Sequence, residues 1–246
     1  MLSPPFSYYN TLAKGESNEQ QKKDKSNGDP SLDLYHLFHG AVIVQMNMKR
    51  YQQSETSAMA EVLKKNGVLS VPTDTVYGVC ALMSSKEAQE NLREVKHRPV
   101  TKAFPIMCAD EEQIKTVAYT DARAEKLIRT FMPGPVTFIL KKKEEVPAYV
   151  NGGMDTLAVR MATSEALKEL IQKCGAPIFM TSANQSGEPV CTSLDEIERS
   201  CPDLDGMMEG AVSFGEASTI IDCTAEEIRI LRQGPITMEQ IQQALR

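Results

Sequence analysis

Residues 55–78 read ETSAMAEVLKKNGVLSVPTDTVYG, and the order of features in this stretch decides the fold class. The first half spaces its apolar residues along one helical face and is closed by Gly67. VLSVP, beginning at Val68, then reads as a buried strand ended by Pro72. The loop Pro72-Thr73-Asp74-Thr75-Val76-Tyr77-Gly78 follows at once, with two threonine hydroxyls and a glycine that permits close approach of a polar ligand. Helix, buried strand and polar loop in succession are the repeating unit of α/β architecture, in which ligands gather where strands end.

The alternation continues downstream. SKEAQENLREVK reads as a helix opened by a capping box at Ser84 and Glu87, with Ala88, Leu92 and Val95 on one face. FPIM, from Phe104, reads as a strand, ARAEKLIRTFM as a helix, and VTFIL and TLAVRM as strands. SEALKELIQKCG is a helix stopped by Gly175, and PIFM is a strand leading into TSAN. A second capping box is expected at Ser193 and Glu196, then strands near Ala211, Ser218 and Ile228, then a final helix in ITMEQIQQALR. The late cluster of strands favours a twisted mixed sheet over a purely parallel one, and 246 residues suit one α/β domain with an added segment.

That segment is the N-terminus. Ala13 to Pro30 is polar and has no apolar residues spaced to anchor it on a core, so it reads as flexible. LDLYHLFHGAVIVQ is apolar enough for a short helix and strand. Met46 and Met48 precede the globular pattern, so residues 1–47 are expected to be an N-terminal extension, or an upstream extension of the reading frame, and residues 48–246 the catalytic domain.

Composition narrows the chemistry. The chain is 41% hydrophobic and 24% charged, no apolar run is long enough to span a bilayer, and no signal-peptide pattern opens it, so a cytoplasmic location is expected. The six cysteines form no CxxC pair, and only three histidines exist, which leaves little for a zinc site or a Ser-His-Asp hydrolase. A net charge of −6 argues against broad adhesion to nucleic acid but leaves room for a local basic groove.

Four further clusters carry polar chemistry. Lys96-His97-Arg98-Pro99 with Lys102 places three cations within seven residues, suited to a triphosphate and equally to a solvated surface. Thr156, Ala158 and Arg160 share one face of a strand, where Arg160 either clamps a carboxylate or lies at an exposed edge. Thr181-Ser182-Ala183-Asn184-Gln185-Ser186-Gly187 supplies hydroxyls, an amide and a glycine at a strand end. Ser218-Thr219-Ile220 and Arg232-Gln233-Gly234-Pro235 add hydroxyls and a cation, whereas Pro133-Gly134-Pro135-Val136-Thr137 reads as architectural. None is a GxxxxGK[ST] phosphate loop.

Taken together, PTDTVYG, KHRP with its following Lys, PGPVT, LAVRM, TSANQSG, STIID and RQGP closely resemble the YrdC/TsaC family of threonylcarbamoyl-AMP synthases, from roughly Arg50 to the C-terminus. The resemblance implies a short-form YrdC-like domain, a twisted mixed α/β sheet around a deep basic cavity. It also implies a reaction in which L-threonine and bicarbonate form a carbamate that attacks ATP, releasing pyrophosphate. The product serves threonylcarbamoyladenosine modification of tRNA through a downstream transferase complex, with RNA contact by this chain left open.

On that resemblance Lys96, Arg98 and Lys102 are the catalytic cations. Thr73, Thr75 and Arg160 hold L-threonine. Thr156, Ser182, Asn184, Ser218 and Arg232 complete the ATP site with the three cations. Mg2+ is expected to accompany ATP, and no residue is assigned as a metal ligand. The chain departs from the family pattern at Ala103, Met107 and Ala162-Thr163, which puts the identity of the amino acid in question. The competing readings are a noncatalytic RNA- or nucleotide-binding module and a paralogue that handles another carbamoyl-adenylate. The module would need a basic stripe with stacking aromatics, but the seven Tyr and seven Phe are scattered and Trp is absent.

Overall fold

The computed structural model describes residues 36–38, 41–43, 48–213 and 216–246. The polar stretch Ala13 to Pro30 lies outside the described residues. Strands β1 (His36–Phe38) and β2 (Ala41–Ile43) pair antiparallel, with Phe38 opposite Ala41. A helix and strand were expected from this stretch. Two short apolar runs separated by two residues, the second a glycine, are instead the pattern of a hairpin.

Met48–Arg246 is a separate compact unit. Its first half runs β3 (Arg50–Tyr51), α1 (Thr56–Lys64), β4 (Leu69–Val71), β5 (Gly78–Leu82), α2 (Lys86–Lys96), β6 (Ile106–Cys108), α3 (Glu111–Val117), β7 (Ala118–Tyr119) and α4 (Ala122–Phe131). Then come β8 (Val136–Lys142), a 3-10 turn at Ala148–Val150, β9 (Thr156–Met161), α5 (Glu165–Cys174), β10 (Ile178–Ser182) and α6 (Leu194–Ser200). Strands β11 (Gly206–Met208), β12 (Thr219–Asp222) and β13 (Arg229–Arg232) precede α7 (Met238–Leu245).

One sheet runs β13-β12-β8-β9-β6-β10-β5-β4-β11-β3, with β7 paired to the far end of β8. Parallel pairs (β12 with β8, β6 with β9, β11 with both β4 and β3) occur beside antiparallel ones, so the sheet is mixed. Helices cover it with faces such as Ala88, Leu92 and Val95 of α2, all buried as their spacing predicts.

Some boundaries move for local reasons. Ser85, rather than Ser84, caps α2, its side chain accepting the Ala88 amide at 3.2 Å, so the helix starts one residue later. Ser193 caps α6, but the Glu196 carboxylate accepts the Thr192 amide at 2.7 Å instead of closing the box on Ser193. The strand expected near Ala211 is β11, five residues earlier at its start, because Gly206–Met208 is buried between β3 and β4. Helix α3 went unread: only Ile114 and Val117 are buried along it, too few to make a periodic signal, although Asp110 caps it.

Candidate functional site

The loops named above meet on one face of the sheet. β5 and β10 pair so that Ser182 stands opposite Gly78, and the Ala183 amide donates to the Tyr77 carbonyl at 2.7 Å. The PTDTVYG and TSAN loops therefore leave the sheet side by side. Within the first, Thr73 Oγ1 donates to the Val76 carbonyl at 2.6 Å and lies 3.0 Å from Thr75 Oγ1, so the turn is held by its own hydroxyls.

A cavity of about 640 Å³ opens on this face. Thr137 and Ile139 of β8, Thr156, Leu157, Ala158 and Arg160 of β9, and Met180, Thr181 and Ser182 of β10 line it; on β8 the alternation of a pleated strand is kept. Thr73, Thr75, Arg98, Ser218 and Arg232 join them. Gly78 is part of the wall because a Cβ there would stand 2.2 Å from Met180 Sδ. Among the described residues Arg98, Arg160 and Arg232 are the charged members of the lining and no Asp or Glu belongs to it, although the chain as a whole is acidic. Such a cavity attracts anions.

Each guanidinium is oriented. Arg98 donates to the Ala103 carbonyl at 2.6 Å and the Lys102 carbonyl at 3.2 Å, with its plane 4.8 Å from the Phe104 ring centre. Arg232 grips the Ser218 carbonyl through Nε and Nη2, at 3.1 and 2.8 Å, while Ser218 Oγ lies 2.7 Å from Thr137 Oγ1. Arg160 is buried, donating to Asp74 Oδ1 at 2.8 Å and Thr75 Oγ1 at 3.2 Å. Burial lowers its pKa and the Asp74 carboxylate opposes that shift.

Three residues assigned to the site stand apart from the lining. Lys96 is 2% exposed, its ammonium behind the TSAN loop, where it donates to the Ser182 and Asn184 carbonyls and to Asn184 Oδ1. Asn184 is buried, accepting the Ser182 hydroxyl at 2.6 Å and donating to the Gln185 and Glu188 carbonyls. Lys102 is exposed, and its carbonyl, not its ammonium, meets Arg93 and Arg98. The turn that aims Arg98 inward leaves the exposed Lys102 side chain outside the described lining. Thr137, read as architectural, lines the cavity. Its signal was its even spacing from Ile139, which becomes informative only once the register sets Ile139 opposite Ala158.

Burial pushes the Lys96 ammonium down to about 8. All three of its protons are in use, so losing one removes a bond that holds the loop. Activity, read as kcat/KM, is therefore expected to fall as pH rises through about 8. For stability, the lowered Lys96 pKa acts in the opposite direction, because between 8 and 10.5 the unfolded chain binds a proton the folded one has released. The six buried thiols, all shifted up, withdraw stability as pH rises through their unfolded value near 9 and so oppose the Lys96 contribution. A decline of kcat/KM through about pH 8, in protein that circular dichroism shows to be still folded, is the expected result; a flat activity profile to about pH 9 contradicts the role of Lys96.

Among the described residues the lining offers a divalent cation hydroxyl, amide and carbonyl oxygens beside three arginines, and no carboxylate. These residues do not fit a protein-held Mg2+, which takes carboxylates or substrate phosphates. Mn2+ titration followed by EPR is expected to show no uptake by the protein alone and uptake once ATP is added.

The Sua5_yciO_yrdC family model, described as telomere recombination, matches residues 61–234. A threonylcarbamoyl-AMP synthase of Pyrococcus abyssi is 34% identical over 203 residues, covering 80% of this chain and 59% of that protein. The chain thus spans about three fifths of that relative's length. A threonylcarbamoyl-AMP synthase of Klebsiella pneumoniae is 33% identical over 194 residues, covering 77% of this chain and all of that protein. Among solved structures, P. abyssi Sua5 complexed with L-threonine superposes with a TM-score of 0.75 at 30% identity, covering 81% of this chain and 61% of that one. With the family model matching residues 61–234 and these relatives aligned over most of the chain, this chain belongs to the Sua5/YciO/YrdC family.

Proposed function

We propose that the chain is an L-threonylcarbamoyladenylate synthase, converting L-threonine, bicarbonate and ATP to threonylcarbamoyl-AMP and pyrophosphate. The observation that carries this reading is a cavity lined, among the described residues, by three arginines and several hydroxyls and by no carboxylate. Such a lining suits two anions that repel one another in water, a triphosphate and an amino-acid carbamate.

In this reading the threonine amine and bicarbonate form a carbamate with loss of water. A carbamate oxygen then bonds to the α-phosphorus of ATP as the bond from that phosphorus to the bridging oxygen breaks, and the electron pair leaves with pyrophosphate. Arg98 and Arg232 neutralise the phosphates, and Arg160 with Thr73 and Thr75 receives the amino acid. Thr156, Ser182 and Ser218 offer hydroxyls to the nucleotide. Lys96 and Asn184 act one layer behind, fixing the loop that carries Ser182. Mg2+ enters as part of the Mg–ATP substrate. Catalysis comes from positioning and from dipoles aimed at developing charge, with no covalent enzyme intermediate.

Residues 48–246 would be the catalytic domain, the location cytoplasmic, and the product's consumer a tRNA-modifying transferase complex. Among the described residues no helix is long and apolar enough to cross a membrane. Labelled bicarbonate supplies the test: label is expected in a product with the mass of threonylcarbamoyl-AMP. Label in an adenylate of another amino acid would assign the chain a different substrate, and no labelled adenylate would sink the synthase reading.

A further inference from the structure

The three arginines of the cavity differ in how their charge is met. Arg98 and Arg232 donate to neutral oxygens, and among the described residues neither has a carboxylate partner. Arg160 is paired with Asp74 at 2.8 Å, the two side chains being 10% and 16% exposed. Asp74 itself does not line the cavity. Its loop is fixed through the backbone, where the Asp74 amide donates to Thr163 Oγ1 at 3.2 Å. A pair so shielded from water interacts strongly and cancels much of the field that Arg160 would otherwise project. Arg160 keeps donors to spare: of five N–H groups, Thr75, Asp74 and Gly134 engage one each.

We infer that Asp74 divides the cavity by charge, compensating Arg160 so that the polyphosphate is drawn to Arg98 and Arg232, and aiming Arg160 at the single carboxylate of the amino acid. The inference rests on the reading of this cavity as a joint site for ATP and an amino acid. Position is the reason a carboxylate serves here. In the lining it would repel both anions, whereas behind Arg160 it biases the guanidinium without meeting them. Asp74 acts through Arg160 and is a positioning residue.

Calorimetry with L-threonine and inorganic tripolyphosphate, singly and together, tests this. The unaltered protein is expected to hold both at once. In Asp74→Asn, which keeps the shape and removes the charge, tripolyphosphate is expected to bind about tenfold more tightly and to displace L-threonine. Thr163→Val, which frees the loop without changing charge, is expected to weaken L-threonine and leave tripolyphosphate unchanged. A merely structural role for Asp74 would lower the melting temperature without creating competition between the two ligands. Displacement of L-threonine by tripolyphosphate in the unaltered protein would overturn the inference however the variants fold. So would a folded Asp74→Asn protein with both affinities unchanged. Absence of L-threonine binding to the unaltered protein, with or without the nucleotide, would overturn both the inference and the reading beneath it.

Discussion

Lys96→Ala is expected to slow pyrophosphate release at least about a hundredfold in a protein that still folds. The Lys96 ammonium donates to the Ser182 and Asn184 carbonyls and to Asn184 Oδ1; among the described hydrogen bonds no other α2 side chain reaches that loop, and the helix otherwise meets it only through the Val95 and Lys96 carbonyls, which accept from the Gln185 side chain and the Ser186 amide. Truncation leaves those acceptors without their donor inside the protein, so the loop relaxes and Ser182 leaves its place in the cavity wall. Stability changes less than activity. Losing the bonds costs roughly 1–3 kcal/mol, partly offset because a buried ammonium, with its pKa pushed down to about 8, is itself unfavourable. Turnover and thermal melting measured together decide it. Turnover unchanged in the folded variant would remove Lys96 from the mechanism, and unfolding would make it a structural residue.

Gly234→Ala is expected to cost roughly 1–3 kcal/mol and to weaken ATP binding at the same time. A Cβ at Gly234 would stand 2.5 Å from the Ala217 carbonyl oxygen and from the Thr219 nitrogen, and 2.8 Å from the Ser218 carbonyl carbon. All three are backbone atoms, so no side chain can swing aside. The RQGP turn must lift from the strand, and Arg232, two residues away, must loosen its grip on the Ser218 carbonyl. Denaturant unfolding gives the first effect and ATP titration the second. A variant with unchanged midpoint and affinity would show that this close approach is dispensable.

The sequence was most informative where one residue's neighbours along the chain are also its neighbours in space. The helical face of Ala88, Leu92 and Val95, the stop at Gly175 and the strand at TLAVRM are local in this sense. Helix caps shifted by a residue because Ser84 and Ser85 are chemically alike, and only the packing of α2 chooses between them. The site was legible as a set of loops. Its interior was not, since the membership of Thr137 depends on strand register, and the withdrawal of Lys96 behind Asn184 depends on a contact spanning 88 residues. The role of Asp74 is of the same kind: its motif was visible, but its partner lies 86 residues away.

Pyrophosphate release from Mg–ATP, assayed with L-threonine and bicarbonate each present or absent, tests the synthase reading most directly. Release that requires both is expected. Release that ignores either one, or none at all from a protein that still binds ATP, would contradict it.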